Sequence, residues 1–66
     1  MSHNKLIVAS HELNISLIGY SLGLSNDEFS IDLIDYPSVR QLLIDHPELM
    51  QICINGFNDA KTIKEN

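Results

Sequence analysis

A chain of 66 residues, 44% hydrophobic and with nine acidic side chains against four basic ones, makes one small domain of net charge −5. Such a domain buries only about 60% of the surface its unfolded chain exposes, so its core is marginal. The acidity opposes nonspecific binding to DNA and anionic membranes, the single cysteine excludes an internal disulfide, and no apolar run is long enough to cross a bilayer.

The first third reads as two helices. Lys5 to Leu13 would bury Leu6, Ala9 and Leu13, and Ile15 to Leu22 would bury Ile15, Ile18 and Leu22, with Asn14 as the N-cap between them. The same stretch also contains good strand sequence, Leu6-Ile7-Val8 and Ile15-Ser16-Leu17-Ile18, so an N-terminal β-hairpin over residues 5–20 is the alternative. Gly23 sits where a helix should end. Ser25-Asn26-Asp27-Glu28 has the capping-box form and predicts a helix over Asn26 to Asp35, acidic through Asp27, Glu28, Asp32 and Asp35.

Two further helix starts follow at Asp35-Tyr36-Pro37 and Asp45-His46-Pro47, where a favourable N-cap type is followed two residues later by a proline that a first turn tolerates. Residues 33–43 and 43–53 align on these signals with five of eleven positions identical. A ten-residue period is too short for a solenoid. One helix-start solution is used twice, predicting core stripes of Val39, Leu42 and Leu43, then Leu49, Ile52 and Cys53. Gly56 reads as the end of the last helix, and residues 58–66 as a polar tail outside a domain spanning 1–57. The predicted fold is therefore all-α, four or five short helices around one core.

No catalytic or metal site can be assembled. His3, His11, His46 and Cys53 lack the spacing of zinc motifs, and no nucleophile–base pair is evident, so neither enzyme activity nor a cofactor is expected. Gly19-Tyr20-Ser21-Leu22-Gly23 resembles the nucleophile elbow of α/β-hydrolases, but the sheet, oxyanion loop and acid that the family requires do not follow. Asp35 to Leu42 resembles the last-helix region of acyl carrier proteins, without the Asp-Ser pair that carries their prosthetic arm.

Residues 17–33 resemble the bihelical unit of helix-turn-helix proteins of the phage-repressor type. Gly19 falls at the close-approach position, Gly23 at the turn, Ser25 at the second helix start, and Ile18, Leu22, Leu24 and Phe29 at apolar positions. The resemblance implies a dimeric DNA-binding regulator that reads DNA with Asn26, Ser30 and Arg40. Charge points elsewhere, since the recognition helix would present acids to phosphate. The leading expectation is a small cytoplasmic regulatory or adaptor protein that binds another protein with a basic surface, including an inhibitor of a nucleic-acid-binding partner. Glu28, Ile31, Asp32 and Asp35 are its expected contact residues. Small size adds a homo-oligomer to the expected partners.

Overall fold

The computed structural model describes residues 2–65, with side chains described for 11–63. Helix α1 runs over Ser2–Ser25, a short 3-10 turn over Ile31–Leu33, α2 over Pro37–Asp45 and α3 over Pro47–Glu65. No strand occurs among the described residues, so the N-terminal segment is helical and not a hairpin. Among the described residues three α-helices and one 3-10 turn stand in place of the four or five helices expected.

Several local signals resolve differently from expectation. Asn14 lies inside a continuous α1 and caps nothing. A cap preference is worth about 1 kcal/mol and yields to the packing of residues 15–23 against α3. Gly23 and Gly56 also lie within helices, with no positive φ at any described glycine. Ser25 ends α1 and does not begin a second helix. Asn26 explains the stop, because its backbone N–H and its side-chain Nδ2 both donate to the Leu22 carbonyl oxygen at 3.0 Å. From there residues 26–30 form no helix, and Ser30 caps the 3-10 turn by accepting the Asp32 N–H at 3.3 Å.

The two proline signals do start helices, shifted by one residue. Tyr36 and His46, not Asp35 and Asp45, flank Pro37 and Pro47, and their carbonyls accept the first intrahelical bonds. Proline holds the preceding residue in extended conformation, as at Tyr36 with φ −91° and ψ 113°. The polar stretch after Gly56 continues α3 as far as Glu65, because Ala60 is fully buried and keeps the helix on the core.

Glycine sets the architecture. A β-carbon on Gly19 would fall on the Cys53 carbonyl oxygen, and one on Gly56 would fall on that of Ser16. One on Gly23 would lie 2.5 Å from the Phe57 carbonyl oxygen and 2.8 Å from Ala60 Cβ. The backbones of α1 and α3 therefore touch along Gly19-x-x-x-Gly23 on one helix and Gly56-x-x-x-Ala60 on the other. Contacts rise together in residue number, from Gly19 with Cys53 to Gly23 with Phe57, and then to Asn26, whose carbonyl oxygen accepts from Lys61 Nζ at 3.3 Å. The two helices run parallel, and the chain between them returns through α2.

Around this seam Ile15, Ile34, Leu43 and Cys53 are buried, with Ile18, Leu22, Phe29, Ile31, Val39, Leu49, Met50 and Ile52 packed against them. Both predicted stripes of the duplicated segment reach the core, although Leu42 remains 37% exposed. Leu13, expected inside, is 61% exposed. Phe57 is buried and meets Phe29 edge-on, with ring centroids 5.6 Å apart, while Lys61 Nζ stands 5.4 Å from the Phe57 centroid. These contacts pin the segment after α1 to the last turns of α3.

Burial pushes the Cys53 thiol above its ordinary value. The neutral thiol is the form that folds, so its contribution is whole below the unfolded value of 9.0 and is lost as pH rises through the higher folded value. Urea unfolding at a series of pH values should show an alkaline loss of stability that is reduced in Cys53→Ala. An identical alkaline slope in the two proteins would remove the thiol as its cause.

Candidate interaction surface

The predicted acidic face depends on a helix over 26–35 that does not form, so its residues are distributed differently. Asp27, Glu28, Asp32 and Asp35 are all exposed, but they lie on a bend, a 3-10 turn and an extended stretch. Ile31, expected to project beside the acids, is half-buried against the core and is not a free apolar contact. Ile31 and Asp32 share a shallow pocket with Arg40, Pro37, Gln41 and Ile44. Asp35 lines a different and larger depression, and Glu28 lines neither of the two. Three of the four expected contact residues thus separate into two depressions, and Glu28 lies in neither.

The three residues of the DNA-reading alternative are also redirected. Asn26 closes α1, Ser30 caps the 3-10 turn, and Arg40 is half-buried beside Asp32. The local geometry engages Asn26 and Ser30 with backbone, and no helix carries them.

The larger depression is an open groove of about 500 Å³ between α1 and the segment that leads into α2. Its floor and walls are Leu17, Ile18, Leu22, Leu33, Ile34 and Val39, and Asn14, Ser21, Asp35 and Tyr36 complete the lining. The extended conformation that Pro37 imposes on Tyr36 leaves that ring 71% exposed at the lip. Asp35, the adjacent residue, is exposed and also lines the groove. The result is an apolar trough with a single charge on its lining, the form of a site that takes an apolar side chain and orients it electrostatically.

Sequence reasoning named Asp35 on a helix that does not form, and did not see the groove. The signal present in α1 is Leu17, which falls off the face that carries Ile15 and lines the groove beside Ile18 and Leu22. Apolar residues on both sides of one helix mean that a single neighbour cannot cover it.

Among the described residues no three His, Cys, Asp or Glu side chains stand together as a metal site, and no helix is long and apolar enough to cross a membrane. His46 Nδ1 and Glu48 Oε1 approach to 3.4 Å, an exposed pair at the start of α3. Comparison with protein-family models, curated proteins and solved structures finds no match to this chain.

Proposed function

We propose that this protein is a small acidic regulatory or adaptor module that binds another protein through the groove between α1 and residues 33–39. The observation that carries the reading is the trough itself, with Leu17, Leu22, Leu33 and Val39 open to solvent-side access and Asp35 and the exposed Tyr36 at its lip. Apolar anchoring in such a trough supplies affinity, and an acidic lip selects a partner with a basic residue beside its apolar anchor. Asp32, Asp27 and Glu28 are exposed and add to the chain's negative charge. An inhibitor of a basic or nucleic-acid-binding protein is one form this module can take. A DNA-reading regulator is the weaker reading, because residues 26–30 provide no helix to enter a groove in DNA.

A photo-reactive phenylalanine analogue in place of Tyr36 tests the reading in a lysate of the source cells. A discrete protein adduct is expected, and Asp32→Lys/Asp35→Lys should reduce it about tenfold or more with helical content unchanged, since both acids are exposed and unburdened by core contacts. Equal adduct yield with and without the reversal would remove the acidic lip from the account, and no adduct at all would remove the groove.

A further inference from the structure

One wall of the groove is laid out to receive a side chain from another helix. Asn14, Leu17, Ile18 and Ser21 of α1 all line it, and they stand at i, i+3, i+4 and i+7. Residues at that spacing are neighbours on a helix surface. Together they make the four-cornered hole into which a facing helix inserts one apolar knob. Leu17 is 56% exposed, and Asn14 and Ser21 are exposed at the two ends, so the hole is open. From Asn14 to Ser21 it extends about 10 Å along α1, or about two turns of an occupant helix.

The other wall supplies the charge. Asp35 and Tyr36 line it, both exposed, and Asp35 is the one charged residue on the lining. Among the described residues no hydrogen bond or ion pair engages either side chain. A carboxylate next to an exposed ring is a receptor for a guanidinium, which pairs with the first and stacks on the second. Other modes of peptide recognition find little to hold. An added strand needs a free sheet edge, and no strand occurs among the described residues. A proline-rich segment docks in a groove lined by aromatic rings, and Tyr36 is the one ring on this lining. A second copy of the chain would bring another net −5 to Asp35. We infer, resting on the groove reading above, that the partner's docking element is an amphipathic helix. It seats an apolar residue among Asn14, Leu17, Ile18 and Ser21, and lays an arginine three or four positions away against Asp35 and Tyr36.

Selection from random sequence against the immobilised native protein tests this. One phage library randomises the exposed face of a helical hairpin, and a second carries unconstrained linear peptides. The helical library should enrich sequences with a large apolar residue and an arginine three or four positions from it. The enriched helix, synthesised and titrated, should bind Leu17→Gln about tenfold more weakly and Asp35→Asn about fivefold more weakly. Replacing its arginine by glutamine should cost about the same fivefold against the native protein and nothing further against Asp35→Asn, where the pair is already broken. Both substituted residues are exposed, and circular dichroism checks that each variant folds. Where one does not, amide NMR of the native protein with the helix decides, with shifts at residues 14–21 and 33–39 expected and shifts elsewhere overturning the inference. Linear peptides that depend on Leu17, helices enriched without an arginine, or an arginine uncoupled from Asp35 would overturn the helix and leave the groove as the docking site. Binding indifferent to Leu17→Gln, or no enrichment from either library, would overturn both. Shifts at the same residues on dilution of the native protein alone would put a second copy in the groove instead.

Discussion

Gly19→Ala is expected to destabilise the protein by about 2 kcal/mol, although alanine is the better helix former. The propensity gain is about 1 kcal/mol, since glycine in a helix interior carries the larger backbone entropy. Against it stands a β-carbon placed on the Cys53 carbonyl oxygen, a backbone atom that no rotamer change can remove. The helices must separate, which opens the seam at Gly23, Gly56 and Ala60 as well, and overpacking of this kind typically costs about 1–3 kcal/mol, occasionally more. For a domain of this size a net loss of 2 kcal/mol lowers the melting temperature by roughly 8–16 °C. Thermal unfolding followed by circular dichroism measures it, with the exposed Ser21→Ala on the same helix as a reference within about 0.5 kcal/mol of the native protein. A Gly19→Ala protein as stable as the native one, or more so, would mean that α1 and α3 do not meet through their backbones.

Phe57→Ala carries the largest expected cost, about 3–5 kcal/mol, comparable to the whole stability of a small domain. The ring is 2% exposed, and its removal empties the space between α3 and the segment after α1. It also deletes the edge-on contact with Phe29 and the face over which Lys61 stands. The variant should show no cooperative unfolding transition at 37 °C. Phe57→Leu should retain one at a lower midpoint, because it keeps most of the apolar volume while losing the aromatic contacts. Full cooperative stability in Phe57→Ala would place the core elsewhere.

What the sequence made legible is the helical character and the second half of the core. Asp-x-Pro announced both α2 and α3 to within one residue, since proline acts on its immediate neighbour and needs no tertiary context. Leu43 and Cys53 followed from helical spacing beyond those starts. The first half failed on signals that packing overrides. Asn14 and Gly23 are reasonable punctuation in an isolated peptide, but a long α1 lying on α3 gains more from continuity than from a cap or a turn. Gly19 was correctly read as a close-approach residue, yet the helix it approaches is α3, more than thirty residues along the chain, and not the one expected next. Ser25-Asn26-Asp27-Glu28 fits a capping box, but Asn26 bonds back to Leu22 and the chain turns away. With no helix over 26–35, the acids lost their common face. The groove was hidden for a related reason. Its two walls, Leu17 to Leu22 and Leu33 to Val39, become a site only when the return of the chain brings them together.

The shared heading of α1 and α3 has a consequence for how the chain reaches this state. Gly19 pairs with Cys53 and Gly23 with Phe57, each across 34 positions. Closing a flexible loop of that length costs about 3 kcal/mol in chain entropy beyond a constant, before any seam contact compensates. An antiparallel hairpin could zip from its turn, one contact at a time. A parallel pair has no such starting point, so closure must come first and the contacts along the seam then follow almost together. The glycine seam is therefore a device for cooperativity, since a partly docked α1 bears the full entropic cost and returns little of it.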